Sequence, residues 1–136
     1  MGSDFCSDLA FFTSRRRYDQ YRDELMTNLL VISSNLTNDV VDPFAIVDYY
    51  NLACDESGLY DNSMIMLLRL LSFIEIRDVT VAGFDGFDKS KTNYAYEKHY
   101  KDNKHTEDEN CTISNYIEKF SSKMRIHFLT KTKYKR

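Results

Sequence analysis

The chain is poor in residues that break or pin a backbone: it has one Pro, four Gly and no Trp in 136 residues. That scarcity excludes a collagen-like or loop-dominated chain and leaves few places where a turn has special backbone freedom. Long apolar runs are also missing. The longest, Met64 to Leu68, has five residues, against the ~20 that a membrane-crossing helix requires. There is no excess of positive charge: 18 Lys and Arg stand against 21 Asp and Glu, a net charge of −3, which argues against nucleic-acid binding. Cys6, Cys54 and Cys111 are odd in number and widely spaced. Reduced thiols are expected from them rather than a disulfide framework. No charged and apolar leader opens the chain, so a cytoplasmic location is the expectation.

What is present is core material. Hydrophobic residues make up 43% of the chain, and nine Phe and ten Tyr are among them, which excludes whole-chain disorder. The length predicts one domain spanning residues 1–136. Leu9 to Thr13 and Leu29 to Ser33 are apolar runs of the kind found in buried strands. Phe44 to Val47, with Tyr49 and Tyr50 after it, predicts a weaker third strand. Val79 to Ala82 and Arg125 to Leu129 supply two more. Between them lie helical patterns: Arg15 to Leu25 behind a Ser14 cap, Asp61-Asn62-Ser63 opening a deeply buried helix to about Phe73, and Thr112 to Ser121. The stretch from Asp88 to Glu109 is polar and expected to be irregular or partly helical. Strands alternating with helices imply parallel pairing, so the expected fold is a small three-layer α/β sheet of about five mainly parallel strands, with helices on both faces. An α+β arrangement is the alternative.

In an open parallel sheet, ligands bind beyond the carboxyl ends of the strands. The residues there are Ser14, Arg15, Arg16 and Arg17 after the first strand, and Ser33, Ser34 and Asn35 after the second. Gly83-Phe84-Asp85-Gly86-Phe87 follows the fourth, and Thr130 and Lys131 follow the last. Glycines let backbone amides approach a ligand, the start of the Ser63 helix adds amides and a positive dipole end, and arginine supplies a bidentate phosphate partner. The chemistry these groups suit is a small anion or a nucleotide. Against it stand plainer roles: a solvated face for the arginines, a turn residue for Asp85, and helix caps for Asp61 and Asn62. There is no Walker loop and no G-x-G-x-x-G after the first strand, so those standard nucleotide sites are not expected, and no cofactor is named. His99, His105 and Cys111 have no zinc-site spacing, so no metal site is assigned. Tyr94, Tyr96 and Tyr100, with Lys98 and Lys101, fit a tyrosine-rich lid or simple packing better than base stacking in an acidic chain.

Five segments form an ordered series: Phe12-Thr13-Ser14-Arg15-Arg16-Arg17-Tyr18, Val31-Ile32-Ser33-Ser34-Asn35, Asp61-Asn62-Ser63 leading into Met66-Leu67-Leu68, Val81-Ala82-Gly83-Phe84-Asp85-Gly86-Phe87 with Asn93-Tyr94, and Ile126-His127-Phe128-Leu129-Thr130. The series resembles the Rossmann-like region that follows the barrel in 4-hydroxy-2-oxovalerate aldolase-like proteins of bacterial surface-polysaccharide gene clusters. More distantly, the strand ending in G-x-D is similar to the folds of sialyltransferases and pterin pyrophosphokinase-like proteins. The resemblance implies an accessory domain that binds a nucleotide, sugar nucleotide or small anionic metabolite. The barrel that carries lyase chemistry is not among these 136 residues. Ser14, Arg15, Ser33, Ser34, Asn35, Asn62, Ser63, Gly83, Asp85, Gly86, Asn93, Tyr94 and Thr130 are the candidate ligand contacts, and Asp85 is the one candidate catalytic group. Two other readings remain: a small glycosyl- or phosphoryl-transferase, and a domain that docks an aldolase-type partner.

Overall fold

In the computed structural model, residues 7–25, 29–88 and 106–134 are described. The chain divides into two compact units, Met1–Leu70 and Leu71–Arg136. Apolar runs become strands where predicted. In the first unit β1 (Leu9–Phe12), β2 (Leu29–Ser33) and β3 (Ala45–Val47) form a parallel sheet in the order β1-β2-β3. The central strand is the most apolar, and Val31, Ile32 and Ser33 at its carboxyl half are buried, as expected for a strand flanked on both edges. Ile32 packs with Leu36 and Val40 in one core cluster, joined by Phe12, Tyr18 and Leu30.

Helix α1 (Arg15–Tyr21) follows β1 and buries none of its residues, in keeping with its polar sequence. Ser14 holds the N-cap position, but its side chain makes no capping bond; its carbonyl accepts the Tyr18 amide at 3.0 Å. The third strand is shorter than the sequence suggests. Asp48 ends it, because its carboxylate accepts the Asn51 amide at 2.8 Å and caps helix α2 (Tyr49–Ala53), so Tyr49 and Tyr50 are helical rather than extended. A two-residue-per-strand hairpin, β4 (Cys54–Asp55) with β5 (Gly58–Leu59), then reverses the chain. Helix α3 (Ser63–Phe73) starts at the predicted place and buries Ile65, Met66 and Leu68. Met64, Leu67 and Leu70 are only half-buried, so burial is one-sided. Arg69 is buried too, with 7% exposure. Its guanidinium donates to Leu52 O at 2.7 Å and to Asp55 Oδ2 at 3.0 Å, which satisfies the charge inside the unit.

In the second unit β6 (Asp78–Val81) pairs in parallel with β7 (Arg125–Phe128). Between them lies α4 (Thr106–Ser121), whose buried face is Ile113, Tyr116, Ile117 and Phe120. It begins six residues before the predicted Thr112 cap. Glu107, Asp108 and Glu109 in its first turn suit the positive end of the helix dipole, and Thr112 sits inside, its hydroxyl donating to Asp108 O at 2.9 Å.

The protein is thus mixed α/β, but its strands do not hydrogen-bond into one five-stranded sheet. Among the described residues they form sheets of three, two and two strands. The reason is that an apolar run specifies a strand and its buried face, not the strand it pairs with. Here β1, β2 and β3 pair in chain order, so the three-stranded sheet contains no reversal of strand order. No helix among the described residues is long and apolar enough to cross a membrane. Cys54 and Cys111 are free and exposed.

Candidate functional site

The carboxyl ends of β1 and β2 gather a ring of hydroxyl and amide groups within the first unit. Thr13, just past β1 and 8% exposed, shares a 2.8 Å hydrogen bond through Oγ1 with Ser63 Oγ, the first residue of α3. Ser33, fully buried at the end of β2, places its hydroxyl 3.4 Å from Phe12 O and donates to Asn35 Oδ1. Asn35 Nδ2 in turn donates to Thr13 O at 3.1 Å. These bonds cross-link the two strand ends. Ser34 Oγ accepts the Tyr49 amide at 2.9 Å, at the start of α2. The Tyr49 hydroxyl donates to Asp61 Oδ2 at 3.1 Å. Asn62 Oδ1 accepts the amides of Met64 at 3.1 Å and Ile65 at 3.2 Å, which makes it the cap of α3.

Five of the predicted contacts therefore take part in hydrogen bonds here: Ser33, Asn35 and Ser63 are linked through Thr13, Ser34 is linked to Asp61 through Tyr49, and Asn62 caps α3. The helix start is less open than its position suggests, because the Asn62 side chain already satisfies two first-turn amides. Sequence reasoning missed Thr13, Tyr49 and Asp61 as members. Thr13 had a signal as the polar residue that ends an apolar run; Tyr49 had one in the Asp48–Asn51 capping spacing. Partial burial and the hydrogen bond to Asp61 raise the Tyr49 pKa above its ordinary value, so its phenol stays protonated and serves as a donor. Arg15 sits at the exposed start of α1, paired with Asp19 at 2.8 Å and with Asp39. The Asp19 hydrogen bond and charge, then the Asp39 charge, push its pKa further up.

Ser14, at the start of α1, is also in the first unit, and its side chain makes no capping bond; the other predicted contacts fall in the second unit or outside the described residues. Gly83 and Gly86 both have positive φ, +73° and +99°, which suits glycine. The Gly83 amide donates to Thr130 Oγ1 at 3.1 Å, and that hydroxyl donates to Asp85 Oδ1 at 2.7 Å. Asp85 O accepts the Lys133 amide at 2.9 Å, and Phe84 stacks at a tilt on Tyr134, with ring centroids 4.8 Å apart. Asn110 closes the loop from the helix side, accepting from the Phe87 amide at 2.9 Å and donating to Phe87 O at 2.8 Å. The loop's polar groups are thus engaged with Thr130–Tyr134 and α4 of the same unit. Among the described residues the side-chain partner of Asp85 is the Thr130 hydroxyl. Asn93 and Tyr94, like His99, His105 and the other tyrosines of that stretch, lie outside the described residues.

No family model matches the chain, and neither a curated protein nor a solved structure does. Among the described residues no three His, Cys, Asp or Glu side chains gather to hold a metal ion. The first-unit ring offers hydroxyl donors, one carboxylate acceptor and the positive end of an eleven-residue helix. Groups of this kind can donate to or accept from a polar ligand; the pair of titratable side chains among them is the Tyr49 phenol and the Asp61 carboxylate.

Proposed function

We propose that the ring at the carboxyl ends of β1 and β2 binds a nucleotide, sugar nucleotide or small anionic metabolite, and that the chain serves as a non-barrel accessory domain in bacterial surface-polysaccharide biosynthesis. The observation that carries the binding reading is the 2.8 Å contact between Thr13 and Ser63, which ties a parallel strand end to a helix start. Strand end and helix start are where phosphate-bearing ligands meet parallel α/β sheets. In this reading the Ser63 and Thr13 hydroxyls turn to donate to phosphate oxygens, Arg15 balances the charge from the rim, and Asp61 accepts from a sugar hydroxyl. The pathway rests on the resemblance of the five sequence segments. Binding rather than group transfer is favoured because Tyr49 is held protonated and, among the described residues, no second acid or base is paired with Asp61.

A thermal-shift series with CMP, UDP, GDP and hexose phosphates tests the reading. A ligand held at a hundred times its Kd stabilises the folded state by about 2.7 kcal/mol, a shift of several degrees. Stabilisation that disappears in Ser63→Ala and Thr13→Val is expected. No stabilisation by any of these ligands contradicts it.

A further inference from the structure

The Gly83–Phe87 loop carries a chemistry of its own that the ligand reading leaves aside. Asp85-Gly86 is the one Asp-Gly pair in the sequence, and no Asn is followed by Gly. The main-chain amide that follows an aspartate can attack the side-chain carboxyl and close a five-membered imide. Glycine in that place favours the closure, because no Cβ crowds the attacking nitrogen. Asp85 is exposed, so water reaches the imide once it forms.

Two contacts hold the pair as it stands. Thr130 Oγ1 donates to Asp85 Oδ1 at 2.7 Å and itself accepts the Gly83 amide at 3.1 Å. The Lys133 amide donates to Asp85 O at 2.9 Å. The first fixes the carboxyl that would be attacked, and the second fixes the peptide plane that carries the attacking nitrogen. We propose that Asp85-Gly86 is a site of spontaneous isomerisation to isoaspartate, and that the Thr130 hydroxyl is the contact that slows it. In the reaction the Gly86 nitrogen loses its proton and bonds to Asp85 Cγ, the Cγ–OH bond breaks, and one water leaves. Water then adds at the Asp85 main-chain carbonyl carbon, and the bond from that carbon to the Gly86 nitrogen breaks. The carbonyl that accepted from Lys133 becomes a free carboxylate, and the chain runs on through Cγ with one carbon more. Both hydrogen bonds that hold Asp85 therefore lose their geometry together, and the loop is uncoupled from Thr130 and Lys133.

The test is a time course on the full chain at physiological temperature and neutral pH, with the tryptic peptide Asp78–Lys89 mapped by mass spectrometry and electron-transfer fragmentation. The same peptide, free in solution from the start, is the unprotected reference. Isoaspartate is expected at Asp85, slowest in the parent protein and fastest in the free peptide. Thr130→Val should raise the rate in the folded protein about fivefold, the factor that one ordinary net hydrogen bond represents. Thr130→Ser keeps the hydroxyl and should match the parent. If Thr130→Val does not fold, Thr130→Ala takes its place in the same comparison. In the isomerised protein the Lys133 amide resonance should move. A parent protein that converts as fast as the free peptide would overturn the proposal. So would equal rates in the parent and the folded hydroxyl-free variant, or no isoaspartate in that variant over the time in which the peptide converts.

Discussion

The ring at the ends of β1 and β2 and the Gly83–Phe87 loop at the end of β6 start from the same local grammar. In each, a parallel strand stops and small polar residues follow. In the first unit those residues meet groups from distant segments, Thr13 with Ser63 and Tyr49 with Asp61, and the set stays at the surface: Asn35, Asp61 and Ser63 are exposed. In the second unit the same kind of loop folds onto its own unit's C-terminal segment, and Thr130, Lys133 and Tyr134 absorb its polar and aromatic groups. Glycine and aspartate after a strand thus mark a turn that needs unusual backbone. Whether the turn receives a ligand or a neighbouring segment is decided by what long-range packing brings opposite it.

The contrast can be broken most severely at Arg69, whose buried guanidinium holds Leu52 O and Asp55 within the first unit. Arg69→Ala removes the guanidinium from the half-buried Asp55 carboxylate, which keeps the Ser57 amide, and leaves Leu52 O without that donor. A loss of about 2–3 kcal/mol is expected in urea unfolding, discounted because Asp55 is partly solvated. Next come the two glycines of the second unit. A Cβ at Gly86 would sit 2.9 Å from Lys133 Cβ, whereas one at Gly83 meets open space. Gly86→Ala should therefore cost about 2 kcal/mol and Gly83→Ala about 1 kcal/mol. Equal costs would mean that the loop is not pressed against Lys133. Asn62→Ala, which uncaps α3, should cost about 1 kcal/mol by the same unfolding measurement.

The smallest effect is a pH dependence confined to the second unit. Burial, and then the Glu109 charge, push the Tyr134 pKa up to about 12 from the ordinary 10.0. A group whose pKa is raised on folding contributes its stability below the unfolded pKa. That contribution is lost as pH rises from about 10 through about 12. Melting curves across this range should therefore fall less steeply in Tyr134→Phe than in the parent protein, and the two should run parallel below pH 9.

Much of this was legible residue by residue. The five apolar runs became five parallel strands because each is long enough to state its own conformation. Their partners were not legible, because Val31 pairs with Ala45 and Val79 with Ile126 through contacts that no local pattern encodes. The short helix after Asp48 and the Cys54–Leu59 hairpin were missed because a handful of residues shows no periodicity. The early start of α4 was missed because its first turn is charged rather than apolar. Of the ring, Ser33, Ser34, Asn35, Asn62 and Ser63 were visible as strand-end and helix-start residues. Thr13, Tyr49 and Asp61 became visible once α2 and α3 had positions.

The most direct test of the ring as a binding site is an NMR titration of labelled protein with CMP, UDP and GDP. The amides of Thr13, Ser33 to Asn35 and Ser63 should move on binding, while those of Gly83 to Gly86 stay in place. Movement at Gly83 to Gly86 with a silent ring, or no saturable change with any of the three, would contradict it.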